Sequence, residues 1–185
     1  MVNNIIIDKE KIDEVAFEMV RAEGMDVLSA RNIAKRLGCS TKPIYRIYKN
    51  MDDLKKVVMQ SALQYMQHFV YMYKKTNNAL LDSGLSYINF AKTEKELFKL
   101  ISMPKGNGSL DNQNASSVQT DKELHKLVSL ELSEKNYSEK RLNQITEHLT
   151  IYTYGLAIIC FLGIQNFSED DLAEKLKGFF EEISN

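Results

Sequence analysis

The sequence has few of the residues that build β-rich or disulfide-stabilised proteins. Its 185 residues include only 8 Gly, 2 Pro and 2 Cys, and no Trp. A β-sandwich or barrel of this size needs many Gly and Pro turns, so their scarcity favours long helices. Two cysteines, Cys39 and Cys160, supply neither a disulfide framework nor a metal cluster. We therefore expect an all-α protein with a real hydrophobic core.

Long apolar runs are also missing. The longest, residues 158–164, is far shorter than the ~20 residues of a membrane-spanning helix. Residues 1–7 have neither the basic region nor the apolar stretch of a secretory signal. We therefore expect no membrane partner and a cytoplasmic location.

The chain as a whole has no large excess of either charge, but its basic and acidic residues are unevenly distributed. The chain carries 24 Lys and Arg against 25 Asp and Glu, a net charge of −1, so its total charge gives no argument for a polyanionic partner. Residues 27–51, however, contain six basic residues and no acidic one, while the rest is net −7. This local charge fits either a phosphate-binding surface or an ordinary solvated face. The basic residues are Arg31, Lys35, Arg36, Lys42, Arg46 and Lys49.

Apolar periodicity and capping residues predict about nine helices. Asp8, Ser29, Ser40, Ser138 and Ser168 are expected N-caps, and Thr93 with Glu96 has capping-box spacing. Residues 105–120 are rich in Gly, Asn, Ser and Gln, and predict a mobile loop. The expected helices cover about residues 8–24, 30–37, 41–48, 52–75, 79–92, 93–103, 121–135, 138–163 and 168–183.

The spacing of Ala34, Gly38 and Ile44 is typical of a helix-turn-helix. A small residue is needed where the two helices cross, and Gly permits a left-handed turn between them. An aliphatic residue then holds the second helix against the first. The basic segment coincides with this spacing, which favours the phosphate-binding interpretation.

The segment from about residue 12 to 58 resembles the N-terminal DNA-binding region of TetR-family transcriptional regulators. The resemblance rests on LSARNIA at residues 28–34 and on GCSTKPIYRIYKNMDDL at residues 38–54. It implies a three-helix DNA-binding domain over residues 1–51. Residues 52–185 would then form a helical domain for effector binding and dimerisation.

The resemblance also implies roles for individual residues. The third helix would enter the major groove of a double-stranded DNA operator. There Lys42 can donate to guanine and the Pro43 ring can contact a thymine methyl. Tyr45 matches a family tyrosine that bonds phosphate. The expected DNA-binding residues are Ser29, Arg31, Ser40, Thr41, Lys42, Pro43, Tyr45, Arg46 and Lys49.

Two positions depart from the family pattern. Ile47 stands where His or Tyr is usual, and Met51 where Lys is usual. Both usual residues contact the DNA backbone. An alternative function is therefore a helical ligand-binding or protein-interaction module with a weakened DNA-binding head.

The last two helices carry apolar residues on more than one face. In the eighth helix, one stripe includes Leu149, Tyr152 and Leu156, and a second consists of Ile151, Tyr154, Ile158 and Phe161. Its own subunit can cover one stripe and a second copy the other, or both can lie inside one subunit. Since family members commonly dimerise here, we expect a symmetric homodimer. The expected interface residues are Leu149, Tyr152, Leu156, Ile159, Leu176, Phe179 and Phe180.

Met and aromatic residues concentrate in the fourth to sixth helices. This composition fits either a solid core or an adaptable apolar pocket. Family members bind small molecules between these helices, so the resemblance implies an unknown small-molecule effector. The expected pocket residues are Met66, Phe69, Met72, Tyr87, Phe90 and Met103.

Signals for catalysis are missing from the sequence. His68, His125 and His148 have no ligand-type neighbour at metal-binding spacing, and there is no Gly-rich phosphate loop or nucleophile elbow. We expect no metal, no cofactor and no enzyme activity. The expected function is a dimeric regulator, a repressor released from a palindromic operator by its ligand.

Overall fold

The computed structural model describes residues 7–103 and 116–185. Within these ranges the chain forms nine α-helices and no strand, which confirms the all-α prediction. Short 3₁₀ turns follow α1 at Met25–Val27 and α7 at Ser133–Lys135. The helices are α1 (Lys9–Glu23), α2 (Ala30–Leu37), α3 (Lys42–Ile47), α4 (Met51–Met72), α5 (Ala79–Thr93), α6 (Lys95–Ser102), α7 (Ser116–Glu131), α8 (Glu139–Phe161) and α9 (Glu169–Ile183).

The capping predictions hold for four helices. The side chains of Asp8, Ser29, Ser138 and Ser168 each accept a backbone N–H three residues later. At α9 the bond is reciprocal, because the Asp171 carboxylate accepts the Ser168 N–H at 2.9 Å. Local sequence therefore fixes where these helices begin.

Two capping predictions were wrong. Thr41, not Ser40, is the N-cap of α3, and it makes no side-chain capping bond. Thr93 is the last residue of α5, where its hydroxyl donates to the Asn89 carbonyl at 2.9 Å. The packed α5 thus continues through the expected start of α6, which begins at Lys95.

The loop predicted over residues 105–120 is partly corrected. α7 begins at Ser116, about five residues before the expected start. Residues 116–120 contain no Gly or Pro, so nothing in them interrupts helical hydrogen bonding. The remainder of the expected loop, residues 105–115, lies outside the described residues.

Residues 7–65 and 96–103 pack as one unit, called here the N-terminal unit. α1 packs against α2, and α2 against α3. The first half of α4 contributes Leu54 and Val58 to the same core. Ile12, Ile33 and Ile44 are fully buried there, so α1 to α3 share one apolar centre.

Residues 66–95 and 116–185 pack as a second unit, called here the C-terminal unit. α5 contacts α7, α8 and α9, and α8 contacts both α7 and α9. One core cluster joins Val128 and Leu132 of the α7 region to Ile145 and Leu149 of α8. Packing thus divides the chain after residues 65 and 95. The boundary expected after residue 51, where DNA contact would end, stays a prediction.

In the described ranges, no helix combines the length and apolarity that crossing a membrane requires.

Candidate nucleic-acid interface

The turn between α2 and α3 has the geometry that its glycine permits. Gly38 adopts a left-handed conformation, with φ 65° and ψ 32°. The Cys39 N–H then donates to the Ala34 carbonyl at 3.0 Å, which closes the end of α2. Ala34 and Ile44 are buried on either side of this turn. α2, the turn and α3 therefore form a helix-turn-helix.

α3 begins with a proline that removes no helical hydrogen bond. Pro43 lies in the first turn, where N–H groups have no intrahelical acceptor. The N–H groups of Ile44 and Tyr45, the next two residues, both donate to the Thr41 carbonyl at 3.2 Å. Ile44 faces the core, and the Tyr45 side chain is 56% exposed. The helix therefore has a buried face and an exposed one.

All nine predicted DNA-binding residues are at least partly accessible. Ser29, Thr41 and Pro43 are half-buried, and the other six are exposed. The Ser29 hydroxyl accepts the Asn32 N–H at 3.2 Å, so its oxygen already caps α2. The roles of these residues in DNA contact stay predictions.

Five of the six cations in residues 27–51 have no ion-pair partner among residues 7–103 and 116–185. Arg36 forms an ion pair with Glu23 at the end of α1. The other cations, Arg31, Lys35, Lys42, Arg46 and Lys49, are exposed and form no ion pair within the described part of the chain. Their charge is therefore exposed to solvent and is not neutralised by a carboxylate of the described residues.

The two residues that depart from the family pattern have a structural use. Ile47 and Met51 are half-buried, and both pack against the core of the N-terminal unit. They therefore contribute apolar contacts that a polar side chain would not make.

Sequence reasoning missed one polar partner of this region. Tyr48, which follows α3, is buried, and its hydroxyl donates to the Asp13 carboxylate on α1. No local pattern signals this bond, because its two residues are 35 positions apart.

The predicted effector residues do not share one environment. Phe69 and Phe90 meet edge to face in the C-terminal unit, with ring centroids 5.4 Å apart. Met66 is also buried and Tyr87 is half-buried, whereas Met72 is exposed. Met103 belongs to the N-terminal unit.

The predicted interface residues of α8 and α9 are largely used inside the subunit. Leu149, Leu156 and Leu176 are buried, and Tyr152 stacks on Phe179 with centroids 4.0 Å apart. Phe179 and Phe180 pack against the α7–α8 cluster, and Ile159 is half-buried. The exposed apolar residues lie on the other stripe and just past the end of α8. They are Ile151, Tyr154, Leu162 and Ile164.

Sequence comparison gives a short match to regulatory proteins. No family model matches the chain. An HTH-type transcriptional regulator of Staphylococcus aureus is 33% identical over 63 residues, which is 34% of this chain and 34% of that protein. The match therefore spans about a third of the relative's length.

Structure comparison extends over nearly the whole chain. A TetR-family transcriptional regulator from Streptomyces coelicolor aligns with a TM-score of 0.71 at 18% identity, covering 94% of this chain and 78% of its own. A TetR variant from Acinetobacter baumannii, in complex with minocycline, aligns with a TM-score of 0.53 at 15% identity, covering 96% and 94%. The chain has the fold of TetR-family regulators.

Proposed function

We propose that this protein is a dimeric, DNA-binding transcriptional regulator. The observation that carries the proposal is the set of five exposed cations on and directly after the helix-turn-helix, none of which is paired with a carboxylate of the described residues. A duplex carries one negative charge per ~1.7 Å of axis, and it would meet these cations without first breaking an ion pair. The likeness in fold to TetR-family regulators supports the same function.

In this proposal α3 reads the major groove. Its first turn presents Lys42 and Pro43, both accessible. The Lys42 ammonium donates to guanine O6 or N7, and the Pro43 ring packs on a thymine methyl group. Ser40 and Thr41, at the entrance to the helix, lie close enough in sequence to share this contact.

The phosphate contacts come from both helices. The Tyr45 hydroxyl and Arg46 reach the DNA backbone from α3, and Lys49 does so from just beyond its end. Ser29 and Arg31 reach it beside the N-terminus of α2. The N–H groups there favour an anion. Ile47 and Met51 make no phosphate contact in this proposal, since they pack inward.

Replacing a base-reading and a phosphate-binding residue should have different effects. Lys42→Ala should weaken binding to the best site by roughly 1–3 kcal/mol and relax sequence preference. Tyr45→Phe should weaken binding to all duplexes alike. Both are measured by gel shift on duplexes selected from a random library and on DNA upstream of the protein's own gene.

Lys122→Ala is the matched control, because Lys122 is an exposed lysine on α7 outside the helix-turn-helix. It should bind like the wild type. If Lys42→Ala keeps full sequence preference, the assignment of α3 as the reading helix is wrong.

The alternative function, a ligand-binding module with a weakened DNA-binding head, differs in its salt dependence. The three cations placed on phosphates, Arg31, Arg46 and Lys49, give a slope of about −3 per subunit in log K against log salt concentration. A slope near zero, or no shift with any duplex at low salt, would favour the alternative.

We infer that a second copy covers the exposed apolar residues on the second stripe of α8 and just past its end. Ile151 is 63% exposed, and Leu162 and Ile164 are also exposed beyond it. A two-fold symmetric pairing would present two copies of α3 to a palindromic site, with half-sites ~34–36 Å apart.

The regulatory signal in this proposal is a small molecule bound in the C-terminal unit. The apolar contact of Phe69 with Phe90 is the expected location, and Met66, three residues before Phe69 on α4, is also buried. Binding would favour a conformation with lower DNA affinity, so the protein acts as a repressor. A compound found by native mass spectrometry should raise the melting temperature and release DNA. A compound that does the first without the second contradicts release.

A further inference from the structure

Tyr48 connects the end of α3 to α1. It directly follows the last residue of the helix, and its side chain is only 6% exposed. Its hydroxyl donates a hydrogen bond to Oδ1 of Asp13. A buried phenol needs such a partner, because its hydroxyl has lost water. The bond therefore joins two helices that are distant in sequence.

Lys9 completes the group. Its Nζ donates to Oδ2 of Asp13 at 2.5 Å and lies 5.5 Å from the centroid of the Tyr48 ring. The bonds to Asp13 and Tyr48 raise the pKa of Lys9, and burial, with the bond to Asp13, raises the pKa of Tyr48. At neutral pH the lysine is therefore charged and the phenol remains a donor.

α3 depends on the hydrogen bond from Tyr48 to Asp13 more than a long helix would. It has six residues, too few to be stable alone. Thr41, at its N-terminus, makes no side-chain capping bond. Ile44 holds its middle in the core. The Tyr48 side chain is thus the polar attachment at its C-terminal end.

The exposed residues around Tyr48 are those proposed to bind phosphate. Arg46 precedes it by two positions and Lys49 follows it. A loose helix end must be fixed when DNA binds, and the lost conformational freedom lowers affinity. An end already fixed in the free protein avoids that loss.

We propose that the Asp13–Tyr48 hydrogen bond, supported by Lys9, positions the C-terminal end of α3 so that Arg46 and Lys49 contact phosphate. The inference rests on the proposed DNA-binding function. Asp13 and Tyr48 are positioning residues, since they act through neighbours and touch no DNA. Apolar packing alone would fix the position of the Tyr48 ring, but it would not connect the Tyr48 hydroxyl to α1.

The first measurement needs no DNA. Tyr48→Phe keeps the ring and removes only the hydroxyl. In the full chain, hydrogen exchange of the amides of residues 44–48 should accelerate about tenfold or more, because one hydrogen bond to a charged acceptor is lost.

Tyr73→Phe is the matched control. Its hydroxyl also donates to a carboxylate, that of Glu169, but both residues lie in the C-terminal unit. Exchange in α3 should be unchanged. No acceleration in Tyr48→Phe, or an equal acceleration in Tyr73→Phe, overturns the inference.

The second measurement uses the duplex that the wild type binds best. Tyr48→Phe should bind it about five- to tenfold more weakly, and the salt slope should become shallower by about one, as for one lost phosphate contact. Asp13→Asn should restore most of the affinity lost in Asp13→Ala, because its amide oxygen still accepts the hydroxyl. Circular dichroism must show every variant folded at the assay temperature.

The results of these measurements distinguish a failure of the positioning role of Tyr48 from a failure of the proposed DNA-binding function. If the wild type binds DNA and Tyr48→Phe has the same affinity and salt slope, positioning is disproved while the function stands. A lower affinity at an unchanged slope indicates general loss of stability and also overturns positioning. If the wild type binds no duplex at low salt, the proposed function fails and the phosphate part of the inference fails with it. The exchange measurement still decides whether the bond anchors α3.

Discussion

Gly38 and Gly178 have different backbone conformations, and only one of the two positions requires a glycine. Gly38 has φ +65°, a conformation in which a Cβ crowds the following carbonyl. Gly178 lies within α9 in open space, with nothing within 4 Å of an added Cβ. The same substitution by alanine should therefore change stability in opposite directions at the two positions.

Gly38→Ala should lower the free energy of unfolding by about 1–2 kcal/mol, the strain of a left-handed alanine. Gly178→Ala should raise it by roughly 0.5–1 kcal/mol, because alanine loses less freedom on entering a helix. Urea unfolding followed by circular dichroism measures both. If Gly38→Ala leaves stability unchanged, the turn between α2 and α3 does not depend on a left-handed residue.

For single residues, the sequence predicted the features that are determined by a residue and its near neighbours in the chain. Gly38 could be recognised from its spacing to Ala34 and Ile44. The bond from Tyr48 to Asp13 could not, because the apolar pattern treats both tyrosine and phenylalanine as core residues. The inward packing of Ile47 was also not predictable, since a family pattern says which residue is usual but not where a replacement points.

Among the elements, α9 is held at both ends by polar contacts. At its C-terminal end, Lys135, Tyr137 and Arg141 donate to the carbonyls of Ile183 and Ser184. Cations there complement the helix dipole. At its other end, Lys75 and Tyr73, beyond the end of α4, both donate to the Glu169 carboxylate.

The contact of Glu169 with Lys75 and Tyr73, at the N-terminus of α9, should make the free energy of unfolding depend on pH. The hydrogen bond from Lys75, and then that from Tyr73, lowers the pKa of Glu169 below its ordinary value of 4.5. A lowered folded-state pKa adds stability above the unfolded-state pKa, and this is lost as pH falls through the folded value.

Glu169→Gln should therefore be less stable than the wild type at pH 7, by up to about 1 kcal/mol for so exposed a contact. The difference should shrink as pH falls below about 4.5. Urea unfolding at pH 7 and pH 3.5 measures it. Glu181→Gln, on the same helix, is the control and should match the wild type. A difference that persists at pH 3.5 would show that the carboxylate charge is not the cause.

Element boundaries were predictable where the capping bond is local. Asp8, Ser29, Ser138 and Ser168 each bond a backbone group three residues away. Thr93 has the same local signal, but the packed helix α5 includes Thr93 as its last residue. Tertiary contacts therefore override a cap when both compete for the same turn.

For the whole molecule, the distribution of charge agrees with the proposal that the helix-turn-helix binds DNA and the rest of the chain does not. The acid-free segment of residues 27–51 contrasts with a remainder of net charge −7. The remainder would be repelled by a duplex, so binding would be confined to the helix-turn-helix. Low salt should therefore strengthen binding through that segment alone.

Dimerisation would double this binding surface, and its interface can be tested at one residue. Ile151 lies on the second apolar stripe of α8, and its own subunit leaves it 63% exposed. Leu130 on α7 is equally exposed, at 62%, in the same C-terminal unit. The two positions differ in whether the proposed partner covers them.

Ile151→Glu should make the protein monomeric, and Leu130→Glu should not. In a two-fold interface one substitution appears twice, so a loss of roughly 1–3 kcal/mol per buried carboxylate raises the dissociation constant about thirtyfold or more. Sedimentation velocity across a concentration series measures this. The monomer should also lose affinity for a two-half-site duplex while keeping its affinity for one half-site. If Leu130→Glu dissociates the dimer and Ile151→Glu does not, the second copy pairs through α7 instead of α8.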